Sequence, residues 1–203
     1  MTSVTIIGTG TMGTAIAEIA LAGGNAVQML ARASDKALPA GTTAGMIGDT
    51  ITGDVIVLAL PYPAVRDVLG VYAGRLNGKI VVDITNPLDF ATFDSLVVAA
   101  DGSSSQEIAS LLPQASVLKA FNTNFAATLR SGNVGSEKTT VLIAGDDPDA
   151  KATLAAIVTG GGLTAVDAGQ LKRARELEAL GFLQLTLAVS EKVSWAGGFA
   201  LAI

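Results

Sequence analysis

A single turn constrains this chain most: Gly8-Thr9-Gly10-Thr11-Met12-Gly13, set directly behind the apolar run Val4-Thr5-Ile6-Ile7. In a chain with 23 glycines a bare G-x-G-x-x-G says little. Its placement says more. It closes a strand-like segment and opens a helix-like one, Thr11 to Leu21, the context in which the motif cradles the pyrophosphate of a dinucleotide. There Gly8 permits the tight turn, Gly10 lets a pyrophosphate reach the backbone, and Gly13 lets helix and strand pack closely. Thr9, Thr11 and Met12 complete the loop. The free N–H groups and positive dipole end of the helix then face the phosphates. The competing reading is a glycine-rich strand-to-helix turn that holds no ligand.

The end of the second strand decides which dinucleotide to expect. Asn25 to Leu30 reads as that strand, and a site for NAD places an Asp or Glu just after it to hold the ribose hydroxyls. The residues here are Ala31-Arg32-Ala33-Ser34-Asp35-Lys36. Arg32 stands where the acid is expected. A guanidinium pairs bidentately with a 2′-phosphate that a carboxylate would repel. Ser34 and Lys36 supply a hydroxyl donor and a second positive charge on the same loop. The balance points to NADP(H) over NAD(H). Two alternatives stay open: Arg32 as a solvated loop charge, and Asp35 as the missing acid or a turn cap.

Composition narrows the rest. Half of the 203 residues are apolar and 15% are charged, a balance that suits a parallel sheet buried on both faces. Mean hydropathy is +0.52, yet no apolar stretch reaches the ~20 uninterrupted residues of a membrane span. The chain enters a strand at once, with no signal-type segment, so the expected location is the cytoplasm. Cysteine and histidine are both absent. That removes disulfides, thiol nucleophiles, imidazole acid–base chemistry and most zinc or haem ligation, and no metal is expected. A net charge of −5 argues against nucleic acid as a partner.

Apolar β-branched segments alternate with helix-like ones throughout, the pattern of an α/β fold. The expectation is a Rossmann-type, doubly wound, mostly parallel sheet forming one NADP(H)-binding domain over residues 1–203, with a helix and tail over 170–203. After a short third strand near Thr42–Ile47, strands are expected at Asp54–Leu60, Lys79–Ile84, Ser116–Phe121, Thr139–Ala144 and Leu163–Asp167. Helical spacing marks Ala64–Tyr72, Gln106–Leu112 with Ser105 as its cap, Pro148–Val158, and a long helix from Gln170 to about Val189.

In such a sheet ligands sit beyond the carboxyl ends of the strands. That crevice should be lined by the glycine turn, Ala31-Arg32, Leu60-Pro61-Tyr62-Pro63, Thr85-Asn86-Pro87-Leu88 and Phe121-Asn122-Thr123-Asn124. Leu60, Pro61, Asn86 and Pro87 are therefore candidate cofactor contacts. The prolines either stiffen loops beside a nicotinamide or merely end strands. Asn86 and Asn122 either bond a carboxamide or carbonyl or serve as turn formers. What is missing matters as much. There is no Tyr-x-x-x-Lys pair, since Arg66 follows Tyr62 and Leu76 follows Tyr72 at that spacing. Tyr62, Lys119 and Asp83 are the only proton donors near the crevice, and none is assigned a catalytic role. A ketone reductase needs a placed proton donor. Hydride exchange between two stacked rings needs chiefly proximity and orientation.

Ile6 to Gly13, the Ala31-Arg32 strand end, the Leu60-Pro61-Tyr62 turn and Asp167-Ala168-Gly169 occur in this order in a known family. The chain resembles the NADP oxidoreductase, coenzyme F-420-dependent family, the deazaflavin:NADP oxidoreductases. Lys79 to Asp89 and Lys172-Arg173-Ala174-Arg175-Glu176-Leu177-Glu178 look like a bacterial branch of dinucleotide-binding oxidoreductases. The resemblance implies that Thr9, Ala31, Arg32 and Lys36 meet the NADP phosphates. Ala31 departs from the family's serine, and Ser34 is the candidate replacement. It also implies a deazaflavin over the nicotinamide, near Pro87 and Ala120-Phe121-Asn122. Asn86-Pro87 and Phe121 to Asn124 depart from the well-studied members, so the acceptor stays open.

The expected activity is hydride transfer between NADP(H) and a flat flavin- or deazaflavin-like acceptor. The alternatives are an NADPH-dependent reductase of a quinone, imine or metal chelate, and a redox sensor that binds NADPH without turnover. Leu171, Leu177, Leu180, Phe182, Leu183, Leu185 and Leu187 put more apolar surface on the last helix than one core face requires. Together with the apolar tail after Trp195 they point to a homodimer.

Overall fold

Ile6 and Ile7 point to opposite faces of the sheet and are both fully buried, as period-two alternation in a doubly covered strand requires. The computed structural model describes residues 1–33 and 37–202. Strand β1 (Ser3–Ile7) runs through the glycine turn into α1 (Thr11–Ala22), then β2 (Ala26–Ala31) and β3 (Thr42–Met46). Next come β4 (Val55–Leu58), α2 (Tyr62–Val71), β5 (Ile80–Asp83), α3 (Ser104–Leu111) and β6 (Ser116–Lys119). Beyond them lie α4 (Ala126–Ser131), a small hairpin of β7 (Asn133–Val134) and β8 (Glu137–Lys138), and β9 (Thr140–Gly145). The chain continues through α5 (Pro148–Gly160), β10 (Thr164–Gly169), a 3-10 turn (Leu171–Arg173) and α6 (Ala174–Val189).

The main sheet has the order β10-β9-β6-β5-β4-β1-β2-β3. Its segment 3-2-1-4-5-6 is parallel throughout, and the order in which strands are added reverses between β1 and β4, which opens the ligand crevice of a doubly wound fold. β9 and β10 pair in parallel with each other, but β9 meets β6 antiparallel. That reversal carries the start of β9 to the crevice side. The sheet is thus mostly parallel, as the residue pattern implied. One face packs Ala15, Ile16, Ile19, Leu154, Ile157 and Val158 of α1 and α5 against it. The other is covered by Val65, Val68, Leu69 and Ile108 of α2 and α3.

Three local expectations change. The helix expected over Gln106–Leu112 starts at Ser104, and its cap is Ser103, whose Oγ accepts from the N–H of Gln106 at 3.2 Å. Ser105 instead lies in the first turn with its hydroxyl turned to a buried carboxylate. The helix expected from Gln170 begins as a 3-10 turn, and α6 proper starts at Ala174. The β7–β8 hairpin had no strand signal, because a two-residue strand is too short to show alternation. Among the described residues no helix is long and apolar enough to cross a membrane.

Candidate functional site: a glycine turn between two clefts

The turn after β1 is shaped by two close approaches. Gly8 has φ +118°, and a Cβ on it would collide with the carbonyl of Ala59 just beyond β4. A Cβ on Gly13 would collide with the carbonyl of Gly8, so helix and turn touch backbone to backbone. Gly10 is different. Its φ of −75° and ψ of −178° suit any residue, and a Cβ there meets nothing within 4 Å. It occupies the N-cap of α1 with no side-chain cap, leaving the first N–H groups of the helix for a ligand. The open space above Gly10 is thus a cradle that fits a pyrophosphate.

Clefts flank this turn on both sides. One, of about 270 Å3, is bounded by Gly8, Thr9, Gly10, Ala31, Arg32, Leu60 and Pro61. Thr9, Ala31 and Ala33 also border an adjoining hollow under Leu38, Pro39 and Met46. Arg32 is exposed at the rim, with Ala31 buried behind it at the end of β2. Ser34 and Lys36 lie outside the described residues. The other cleft, of about 420 Å3, begins at Thr11 and Met12 and runs past Ile84, Asn86, Phe121, Asn122, Asn124 and Phe125 to Leu185 and Trp195. Pro87 is buried behind Asn86 and does not line either cleft. The structure therefore brings Gly8, Thr9, Gly10, Ala31, Arg32, Leu60 and Pro61 to one side, and Thr11, Met12 and Asn86 to the other.

The second cleft is floored by a reciprocal amide pair. Asn86 Nδ2 donates to the carbonyl of Asn122 at 2.8 Å, and Asn122 Nδ2 donates to Asn86 Oδ1 at 2.9 Å and to the carbonyl of Leu177 at 2.8 Å. Gly181 of α6 packs so closely on this pair that a Cβ would strike Asn86 Oδ1. Gln184 Nε2 donates to the carbonyl of Thr123 at 3.1 Å, while its Oε1 accepts from the N–H of Phe199 at 2.9 Å. The tail is tied back in this way, and Trp195 packs on Phe125 with ring centroids 4.9 Å apart. Opposite, Arg130 of α4 donates to Glu18 at 2.8 Å and to Thr14 Oγ1 at 2.7 Å, fixing α4 against α1.

Under this floor lies a cluster that sequence reasoning did not assemble. Lys119 is fully buried, its Nζ 2.7 Å from Asp83 Oδ2, 2.8 Å from Glu178 Oε1 and 2.7 Å from the carbonyl of Thr85. Ser104 Oγ lies 2.7 Å from Asp83 and 2.6 Å from Glu178, and its N–H donates to Glu178 Oε2 at 3.1 Å. Burial pushes the Asp83 carboxyl up. The Lys119 ammonium, Ser105 and the N–H of Thr85 outweigh it and hold the group below the usual carboxylate value. Lys119 and Asp83 are thus structural and sealed from the crevice. Tyr62 is turned away, its hydroxyl donating to Glu107 at 2.5 Å, and burial plus that carboxylate raise its pKa to about 12. None of the three can pass a proton into the second cleft from these positions.

Glu178 and Leu185 were not singled out as crevice residues from sequence, whereas Asn124 was expected in the lining and lies there. A signal for Glu178 existed. Ala174, Glu178, Gly181, Gln184 and Ala188 recur at helical spacing and form the buried stripe of α6, so this helix turns its small and polar side inward. Of the leucines singled out from sequence, Leu177 joins this stripe and Leu183 is exposed on the other side.

The family model described as NADP oxidoreductase, coenzyme F420-dependent, matches residues 3–87, which span β1 through the Asn86-Pro87 turn. An F420-dependent NADP reductase of Methanocaldococcus jannaschii is 30% identical over 149 residues, 71% of this chain and 66% of the relative. A crystal structure of a candidate F420-dependent NADP reductase from Arthrobacter sp. FB24 superposes over 100% of both chains at 26% identity, with a TM-score of 0.87. The stretch from β1 to the Asn86-Pro87 turn thus matches the F420-dependent NADP oxidoreductase family, and the relatives support an NADP-dependent oxidoreductase. A metalloreductase of Rattus norvegicus is 37% identical over 108 residues, 53% of this chain and 21% of that protein. The chain therefore spans about a fifth of the rat relative and 66% of the archaeal one. The glycine turn and the β2 end lie within the matched residues, whereas α6 and the tail lie beyond them.

Proposed function

We propose that this chain is an NADP(H)-dependent oxidoreductase that passes a hydride between nicotinamide and a flat flavin- or deazaflavin-like acceptor held in the second cleft. When bound, the nicotinamide supplies or takes up the hydride. The observation that carries the reading is the pair of clefts on either side of the turn, one reaching Gly10 and rimmed by Arg32, the other starting at Thr11 and largely apolar and aromatic. Gly10 and the α1 N-terminus hold the pyrophosphate. Arg32 pairs with the 2′-phosphate, with Thr9 and Ala31 beside it, and Leu60 and Pro61 bound the adenosine side. Met12, Ile84 and Phe125 exclude water from the reacting rings, and Trp195 offers an aromatic face to a planar acceptor.

The lining of the second cleft holds amides, one threonine hydroxyl and the Trp195 indole N–H as its polar side-chain groups, with no carboxylate, lysine or tyrosine. Such a site can align two rings and keep them dry, which serves hydride exchange better than reduction of a simple carbonyl. The name of the rat relative supports a second reading, reduction of a metal chelate. In the same proposal the chain works in the cytoplasm as a homodimer. Stopped-flow oxidation of bound NADPH by a panel of flavins, deazaflavins, quinones and ferric chelates tests it. Rapid oxidation by a deazaflavin or flavin is expected. Oxidation by ferric chelate alone would favour the second reading, and no oxidation by any acceptor would leave a sensor. Arg32→Ala should weaken NADPH about ten- to a hundredfold and leave NADH nearly unchanged, the loss of one charged hydrogen bond of about 1.5–3 kcal/mol. Equal losses in calorimetry would make Arg32 a structural residue.

A further inference from the structure

Asn122 and Asn124 follow β6 in the loop that enters α4, and both line the second cleft. They are 5% and 8% exposed. The nitrogen end of each amide is assigned by what it faces. Asn122 Nδ2 meets two acceptors, Asn86 Oδ1 at 2.9 Å and the Leu177 carbonyl at 2.8 Å. Asn124 Nδ2 meets the carbonyl of Thr140, at the start of β9, at 3.0 Å. Turned over, each amide would set oxygen against oxygen, so neither flips. That orientation leaves Asn122 Oδ1 and Asn124 Oδ1 buried without a donor, the two such side-chain atoms among the described residues. Buried polar atoms nearly always find partners, and two orphaned acceptors in the lining of one cleft need a reason.

The rest of the wall narrows what can answer them. Met12, Ile84, Phe125 and Trp195 are apolar, so the group that enters is a flat ring whose N–H donors lie at its edge. Thr11 and Met12 open this cleft directly from the pyrophosphate cradle. A ring carrying a primary carboxamide meets both demands, because its nitrogen has two hydrogens to donate and no acceptor capacity to clash.

We propose that Asn122 Oδ1 and Asn124 Oδ1 accept the N–H bonds of the nicotinamide carboxamide, and so set which face of the ring is turned to the acceptor. This rests on the reading that the chain takes NADP(H). Asn122 is held by α6 through Leu177, and Asn124 by β9 through Thr140. The acceptor pair is thereby fixed from two elements that meet only in the folded chain. Trp195 is half-exposed on a tail outside the core clusters, so this wall can shift by side-chain rotation as the amide seats.

Calorimetric binding to the full chain tests the proposal without turnover. Four ligands are compared: 2′,5′-ADP, NADP+, the thionicotinamide analogue, which keeps the NH2 group, and the acetylpyridine analogue, which has a methyl in its place. The parent chain should bind the acetylpyridine analogue about tenfold more weakly than NADP+ and the thionicotinamide analogue within about threefold of it. Asn122→Ala and Asn124→Ala should each narrow the gap between NADP+ and the acetylpyridine analogue while leaving 2′,5′-ADP binding unchanged. Equal binding of NADP+ and the acetylpyridine analogue by the parent overturns the proposal, whether or not the variants fold. A full gap that persists in a folded variant overturns the role of that residue. Failure of both 2′,5′-ADP and NADP+ to bind would instead strike the NADP reading itself.

Discussion

The three glycines of the turn have different reasons to be glycine. Gly8 and Gly13 are demanded by the fold, since a side chain on either would run into backbone of the strand or the turn. Gly10 has ordinary dihedrals and open space where its side chain would be, so what it leaves clear is room for a ligand. Gly10→Val should therefore cost at most about 1 kcal/mol of stability, the effect of an apolar residue at a helix N-cap. It should weaken NADP+ at least about a hundredfold by occupying the pyrophosphate cradle. Gly8→Ala should do the reverse in emphasis, destabilising by roughly 1–3 kcal/mol through strain at a positive φ. Thermal melts and calorimetry on the two variants separate these effects. A Gly10→Val chain that still binds NADP+ tightly would end the pyrophosphate assignment.

At the scale of elements, α6 is the part whose placement decides the site. Lys119 on β6 joins it to β5 and to the start of α3 through Glu178, Asp83 and Ser104. That clamp seats Gly181 on the Asn86–Asn122 pair. Lys119→Met would leave two buried carboxylates without their cation, at a cost of about 3–5 kcal/mol at neutral pH. The pH dependence has a definite sign. Asp83 titrates below its ordinary value of 3.8 in the folded chain. Its contribution is complete above that value and is lost as pH falls through the folded pKa. In Lys119→Met the ammonium no longer opposes burial and the Ser105 and Thr85 hydrogen bonds still favour the carboxylate, so the folded pKa of Asp83 rises relative to the parent and its contribution at neutral pH shrinks. The gap between parent and variant should thus be wide at pH 7 and shrink as pH drops below about 4. Urea unfolding at a series of pH values measures it, and a gap independent of pH would show that the clamp carries no charge-dependent stability.

The whole molecule leaves an apolar surface on the outer side of α6 and the tail. Leu183 is 50% exposed, Val189 48%, Trp195 53%, Phe199 44% and Leu201 42%, with Leu180, Phe182 and Leu187 half-buried between them. A run of such side chains on one helix and its tail is more than scattered surface leucines, and a self-complementary two-fold contact would cover it. Light scattering should report a dimer at micromolar concentration, and Leu183→Glu should shift it toward monomer. Because the tail also supplies Trp195 to the second cleft, deletion from Trp195 onward should lower acceptor turnover. A parent chain that is monomeric, or a truncated one of full activity, would reject the dimer.

The glycine turn, the alternation of strands and helices, and Arg32 at the end of β2 could all be read in the sequence. Each depends on residues within a few positions of one another, where spacing and backbone preference decide the outcome. The antiparallel joining of β9 to β6 could not be read there, nor could the buried stripe of α6 or the amide floor of the second cleft. Asn86 and Asn122 are 36 positions apart, and Ser104 and Glu178 are 74 apart. Nothing local selects such partners. Lys119 reads as a proton donor near the crevice and Glu178 as one charge in a run until the fold removes water from both, and then each must have the other. Asn122 can pass for a turn former until α6 takes its nitrogen, as β9 takes that of Asn124, and both oxygens are left buried without a donor. Local pattern determined the elements and the glycine-turn cleft. Only the tertiary structure decided the second cleft, because burial by distant segments assigns those side chains their partners.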